Sequence, residues 1–317
     1  MRDLNIVFMG TPDFAVGILD KLVENNYRIA GVITAPDKPA GRGRKLHESA
    51  VKKYAISKNL KVFQPENLKD EEFLAELRAL KANLQVVVAF RMLPKAVWEM
   101  PEYGTFNLHA SLLPDYRGAA PINRAIMNGE TETGVTTFFI DEKIDTGEII
   151  MQTKTGIGPE ETAGELHDKL MEAGAGLVLR TVQHIEAGTV APKKQQEPAV
   201  LKSANKLHKE TCRIDWNSGI DTVHNHIRGL SPYPGAWTTL RNETPEAPVQ
   251  VKIFRSEKEP ASHNKPTGQM ITGKNEVKVA VKEGYIKLLE IQLPGKRRMP
   301  ISDVLNGYTF SPEARVE

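Results

Sequence analysis

Leu4-Asn5-Ile6-Val7-Phe8-Met9-Gly10-Thr11-Pro12-Asp13-Phe14-Ala15 decides how the chain begins to fold. Leu4 to Gly10 is a short apolar run ending in glycine, the composition of a buried parallel strand. Ala15 to Asn25 has helical spacing. Strand, glycine turn and helix in that order open a Rossmann-like unit. A dinucleotide-binding version needs Gly-x-Gly-x-x-Gly, and here Pro12 and Ala15 stand where the second and third glycines belong. Pro12 suits a first helical turn but blocks close approach of the backbone to a pyrophosphate, which excludes NAD.

Further along, Arg28 to Thr34 reads as a strand. Ala35 to His47 holds two prolines and two glycines, which forbid regular structure there and leave a loop. Helical segments at Glu48 to Lys58 and Asp70 to Lys81 flank a short strand at Lys61 to Gln64. Leu84 to Phe90 is strongly apolar, hence a central strand. Arg91-Met92-Leu93-Pro94 follows at its carboxyl end, where ligands sit in open α/β sheets. A helix at Pro121 to Asn128, a strand at Gly134 to Ile140, its exit loop from Asp141 to Thr146, and a β pattern from Gly147 to Gly156 come next. Thr162 and Glu165 form a capping-box signature and start a helix reaching about Ala187.

The character changes at Thr189 to Leu207, where Pro192, Lys193, Lys194, Gln195, Gln196 and Pro198 make a polar, extended linker. Beyond it lie a helix at Ile220 to Leu230 and five strand-like runs: Gly235 to Leu240, Val249 to Arg255, Pro266 to Thr272, Val277 to Lys282 and Tyr285 to Gln292. Ile301 to Asn306 closes as a helix. Five short strands at turn-separated intervals suggest a small barrel of the OB type. The fold class expected is therefore α/β, a Rossmann-like domain (1–189), a linker (190–207) and an OB-like β-barrel domain (208–317).

At 40% hydrophobic and 26% charged residues, the composition suits a soluble globular protein. Met1 to Gly10 has no signal-peptide pattern and no run of 18 apolar residues occurs, so the cytoplasm is expected and no membrane span. The single cysteine, Cys212, can make no internal disulfide, and with dispersed histidines no metal-ligand spacing exists; no metal is expected. A net charge of +2 means that a nucleic-acid partner would need local basic patches.

Thr105-Phe106-Asn107-Leu108-His109-Ala110-Ser111-Leu112-Leu113-Pro114-Asp115-Tyr116-Arg117-Gly118 carries the chemistry. Its first half reads as a strand, on which side chains two apart share a face. Asn107 and His109 then lie side by side, while Phe106 and Leu108 face apolar packing. An amide can donate to a developing oxyanion and an imidazole can move a proton near neutral pH. The residues Asn107, His109, Ser111 to Pro114, Arg117-Gly118 and Asp145-Thr146-Gly147 together resemble the folate-dependent formyltransferases.

That resemblance implies that Asn107, His109 and Asp145 are catalytic. It also implies that 10-formyltetrahydrofolate is the donor, its pterin against Phe90, Arg91, Met92, Leu93 and the Asp141 to Asp145 loop, beside Ser111, Leu112, Leu113 and Pro114. Within the family, the acceptor the resemblance implies is the methionine amine of charged initiator tRNA. Three features favour it: the basic loop with Lys38, Arg42, Arg44 and Lys45; the carboxyl-terminal barrel; and matching stretches at Arg213 to Trp216, Arg228 to Trp237 and Gly295 to Met299. Lys206 in the linker joins the expected tRNA-binding set, and a monomer is expected. Two alternatives remain at this point: a sugar-nucleotide formyltransferase, and an RNA-binding protein that has kept the scaffold without the activity.

Overall fold

The computed structural model describes residues 1–40, 45–196, 199–242 and 247–317. In chain order, the elements up to the long helix are β1 (Asn5–Gly10), α1 (Asp13–Glu24), β2 (Arg28–Ile33), β3 (Lys38–Ala40), β4 (Lys45–His47), α2 (Ala50–Ser57), β5 (Val62–Phe63), α3 (Glu71–Ala79), β6 (Leu84–Val88), α4 (Lys95–Trp98), β7 (Thr105–His109), β8 (Arg117–Gly118), α5 (Pro121–Met127), β9 (Glu132–Phe139), β10 (Ile149–Gly156) and α6 (Ala163–Ala187). After it come β11 (Ser203–Ala204), α7 (Ile220–Leu230), β12 (Ala236–Arg241), β13 (Val249–Pro260), β14 (Met270–Thr272), β15 (Val277–Val281), β16 (Gly284–Gln292), β17 (Met299–Pro300), α8 (Ile301–Leu305) and β18 (Arg315–Val316).

The chain divides into two compact units. The first comprises Met1–Gly118, Thr133–Thr155 and His167–Ser203. Its sheet has the order β10-β9-β7-β6-β1-β2-β5. β1 pairs in parallel with both β2 and β6, β2 with β5 and β6 with β7, while β9 runs antiparallel to β7. β1 is enclosed on both faces, as its uninterrupted apolar run requires. Val7 and Met9 join Val87, Phe73, Leu77 and Val97 in one core cluster. By strand alternation Ile6 and Phe8 face the other way. There a Cβ on Gly10 would lie 2.6 Å from the Cβ of Ala15, so only glycine lets α1 start this close to the strand. α6 packs closely too: a Cβ on Gly174 would meet Leu108 Cδ2 at 2.7 Å. β1 and β6 are adjacent and lead to β2 and β7 on opposite sides, which makes their carboxyl ends the switch point of the sheet.

The second unit comprises Ala119–Glu132, Gly156–Leu166 and Ala204–Glu317. Its strands run β14-β15-β16-β13-β12-β18, with β17 beside β16. A bridge between Gln269 and Arg315, with Met270 N donating to Ala314 O at 3.0 Å and Val316 N to Gly268 O at 2.9 Å, nearly joins the two ends of the sheet into a barrel. Val277, Val279 and Val281 alternate inward with Ile286, Leu288 and Ile291, and Val223, Ile227 and Leu230 of α7 cover them. The five expected strands are present and the barrel is completed by β18, a two-residue strand too short to show a period in sequence.

Two findings differ from the sequence reading. Residues 119–132 and 156–166, placed by sequence in the first domain, pack with the second unit. The reason is α7. Asn123 Nδ2 donates to Gly229 O at 2.8 Å, and Arg228 Nη1 donates to Glu161 O at 2.8 Å and Gly158 O at 3.2 Å. The second concerns Ala35 to His47, where β3 and β4 form an antiparallel ribbon pairing Lys38 with His47 and Ala40 with Lys45. A two-stranded ribbon consists of edges, where a proline nitrogen need not enter the ladder. Among the described residues no helix is long and apolar enough to cross a membrane.

Candidate active site

β7 sets Asn107 and His109 two residues apart, pairing Val87 with Asn107 in β6 and Asn107 with Phe138 in β9. Phe106 and Leu108 are buried on the opposite face, and Leu108 meets α6. His109 is 7% exposed. Its Nε2 lies 2.8 Å from the carbonyl oxygen of Tyr116 and so donates to it; Nδ1 is then the nitrogen turned to Asp145, 3.8 Å from Oδ2. Asn107 is half-buried, and among the described residues its amide makes no hydrogen bond to a protein group. An amide donor and an imidazole therefore face one space, with a carboxylate behind the imidazole.

Asp145 reaches this position by loop construction. Asp141 takes hydrogen bonds from Lys143 N at 3.0 Å and Thr146 Oγ1 at 2.7 Å, folding the loop back on itself. Asp145 has φ +57°, a left-handed conformation rare outside glycine. Gly118 N donates to its Oδ2 at 2.9 Å. The glycine of Asp145-Thr146-Gly147 has a steric cause: a Cβ there would lie 1.7 Å from the carbonyl oxygen of Phe139. Tyr116, at φ +61°, and Ala89, at φ +47°, are also left-handed, so the three chain segments around the site each carry a strained residue.

Thr136 in β9 holds the Ser111 to Pro114 loop, donating to Ser111 O at 2.7 Å and accepting from Leu113 N at 3.1 Å; Gln152 in β10 adds a bond to Leu113 O at 2.9 Å. Ser111 is fully enclosed, its hydroxyl donating to Asp115 O at 2.7 Å, and Leu113 is buried. These two shape the wall, whereas Leu112 and Pro114 are half-exposed. Past β6, Leu93 is buried in the core, Phe90 packs partly against it, and Met92 is 66% exposed. Arg91 is committed to the carbonyls of Glu66, at 2.8 Å, and Pro65. Ile144 on the Asp141 to Asp145 loop is a second exposed apolar side chain.

Lys38 is exposed on β3, Lys45 belongs to β4, and Arg42 and Arg44 lie outside the described residues. Lys52 anchors the foot of this ribbon between Asp37 and Glu48, at 2.9 Å from Glu48, and holds the Asp37 carboxyl below its usual range. Lys206 is exposed in the second unit. The sequence reading missed Gln195, which the structure ties to Arg117, Asp145 and Gly147. Nothing in a polar, proline-flanked stretch marks it.

Residues 4–182 match the family described as formyl transferase, and residues 206–309 the formyl transferase C-terminal domain. The chain is similar to methionyl-tRNA formyltransferase of Flavobacterium johnsoniae, 58% identical over 316 residues with all of both chains covered. It is 55% identical over 314 residues to methionyl-tRNA formyltransferase of Bacteroides thetaiotaomicron, with 98% of this chain and 97% of that one covered. Among solved structures it resembles a sugar 3N-formyl transferase crystallised with dTDP and 5-N-formyl-THF (TM-score 0.64, 22% identity, 94% of this chain and 100% of that chain). It also resembles HypX from Aquifex aeolicus in complex with tetrahydrofolic acid (TM-score 0.66, 19% identity, 96% of this chain and 47% of that chain). These two share the fold: a mixed α/β sheet unit followed by a nearly closed antiparallel barrel. The full-length identity, together with both family matches, decides the question: the chain belongs to the methionyl-tRNA formyltransferase family.

Proposed function

We infer that the protein transfers the formyl group of 10-formyltetrahydrofolate to the α-amino group of methionine on initiator tRNA, in the cytoplasm and as a monomer. The observation that carries this reading is the grouping of Asn107, His109 and Asp145 at the carboxyl end of the sheet, in a chain 58% identical throughout to a methionyl-tRNA formyltransferase. Bound folate supplies an activated formyl group with N10 as leaving nitrogen. Asn107 Nδ2 donates to the formyl oxygen as the attacking amine pushes the carbonyl electron pair onto it, a stabilisation strongest in the transition state. His109 takes the proton the amine sheds at Nδ1, the nitrogen left unprotonated when Nε2 donates to Tyr116 O, and returns one to N10 as the carbon–N10 bond breaks; Asp145, 3.8 Å from Nδ1, stabilises the imidazolium. No side chain needs to act as nucleophile.

Phe90, Met92, Leu112, Pro114 and the backbone of the Asp141 to Asp145 loop are assigned to the pterin, an apolar wall with carbonyl and amide edges suited to a flat heterocycle. Lys38, Arg42, Arg44, Lys45 and Lys206 are assigned to the tRNA, the arginines as planar forks for phosphate and base edges. Offering charged initiator tRNA and amino-sugar nucleotides side by side, with the same donor, tests the reading. Formylation confined to the tRNA is expected. Formylation of the sugar nucleotide alone would transfer the protein to the sugar branch, and no product from either would leave a binding protein.

A further inference from the structure

We propose that Gln195 is a positioning residue for the reaction: it holds Asp145 in place from a segment that reads in sequence as linker. Gln195 Nε2 donates to the carbonyl oxygens of Asp145 and Gly147, each at 2.9 Å. Its Oε1 accepts from Arg117 Nη2 at 2.7 Å and Nε at 3.2 Å. One side chain thus uses both N–H groups and both lone pairs of its amide, its full capacity. Gln195 is itself held by its neighbour Lys193, whose backbone exchanges two hydrogen bonds with Ile149 at 2.8 and 2.9 Å.

The partners are not scattered. Two are the backbone of the loop that carries Asp145, and the third is the residue before Gly118, whose N–H binds Asp145 Oδ2 at 2.9 Å. Gln195 therefore grips Asp145 from the backbone side directly and from the carboxylate side through Arg117-Gly118. Asp145 is left-handed at φ +57°, a conformation uncommon for any residue but glycine. Gly147 in turn has no space for a side chain, since a Cβ there would lie 1.7 Å from Phe139 O. With the grip removed the loop loses both bonds that Gln195 makes to its backbone, and the indirect support of the carboxylate through Arg117-Gly118 goes with it. Glutamate is no substitute: it can still accept from Arg117 but cannot donate to two carbonyl oxygens.

This role rests on the reading of Asp145 as the partner of His109, so the test varies both residues in the full-length enzyme. The set is Gln195→Met, Gln195→Glu, Asp145→Ala and the double variant Gln195→Met with Asp145→Ala. Each is assayed for kcat and for KM of both substrates, and for folding by thermal melting. A misplacement of the order of an ångström lowers kcat by roughly 10- to 100-fold. That loss is expected for both Gln195 variants, with KM for tRNA within about twofold of wild type and KM for folate raised along with it, since the displaced loop backbone is also assigned to the pterin. In the Asp145→Ala background Gln195→Met should cost little more, because there is no carboxylate left to position. A residue that only stabilises the fold would add its loss in either background. Full kcat in Gln195→Met beside an impaired Asp145→Ala overturns the role of Gln195 alone. Additive losses in the double variant, or a fully active Gln195→Glu, overturn it as well. Full activity in Asp145→Ala overturns the reading of Asp145 and the positioning role together. Should Gln195→Met fail to fold, the same cycle is run with Gln195→Glu, which keeps the bond to Arg117.

Discussion

Replacing Asn107 with alanine separates catalysis from folding more cleanly than any other change in this site. The side chain sits on β7 with its backbone paired on both sides, and among the described residues the amide makes no hydrogen bond to a protein group. Truncation therefore orphans no partner, and exchanging one half-buried strand residue for another costs about 1 kcal/mol or less. Against a native stability of roughly 5–15 kcal/mol, that loss leaves essentially every molecule folded. The rate should suffer far more. Loss of one preorganised oxyanion donor is worth about 3 kcal/mol, or roughly 100- to 1,000-fold in kcat. Because that hydrogen bond strengthens as the oxygen gains charge, KM for the folate donor should stay within about threefold. Asn107→Asp, with no N–H and an added negative charge, should be impaired at least as much. Formylation of charged initiator tRNA under single-turnover conditions, with thermal melting as the folding control, measures both quantities. A folded Asn107→Ala enzyme with near-normal kcat would remove this amide from the mechanism, and a raised KM with unchanged kcat would make it a binding group.

On the proposed assignment, in which Asp145 acts through the imidazole it faces at 3.8 Å, His109→Ala, Asp145→Ala and their double variant should lose similar rate; independent, additive losses in kcat would reduce Asp145 to a loop-building residue. Neutralising Lys38, Arg42, Arg44 and Lys45 together should weaken tRNA binding and lower the slope of log affinity against log salt by about 3 if each meets one phosphate, while folate affinity is unchanged; an unaltered slope refutes the assignment. Burial holds the imidazoles of His224 and His226 in α7 below their ordinary range, prevailing for His224 over the carboxylate of Glu160 at 3.2 Å. As pH falls below about 6.5 the unfolded chain takes up protons first, so stability that is full above that value is lost as pH falls through the depressed folded values. Melting temperature should drop between pH 7 and 5, and less so in His224→Gln; identical profiles would show that this histidine carries no share.

What could be read from sequence and what could not divide along a physical line. The opening strand, turn and helix, the inward valines of β15 and the Asn107–His109 pair are periodic, and a period is a local property that a single sequence displays. Asp145 has no period linking it to His109 across 36 residues of chain, and only the family pattern singled it out. Gln195, Arg228 and Ser111 were invisible in their roles because each binds backbone oxygens, and a carbonyl group carries no residue identity for a sequence to reveal. The same holds for Gly147, whose motif is legible while its cause, a carbonyl oxygen 1.7 Å from where a Cβ would stand, is not. This asymmetry bears on how the site is built. The groups assigned to the reaction stand on a strand fixed by sheet pairing on both sides, whereas the acid assigned behind them is held on a loop by hydrogen bonds to its backbone and carboxylate. The register of the strand-borne groups is set by that backbone pairing, whereas the loop-borne acid is fixed by individual bonds from Gln195 and Gly118 to a left-handed residue. Sensitivity to distant substitution should therefore concentrate around Asp145, in Arg117, Gly147 and Gln195, and be slight among the neighbours of Asn107.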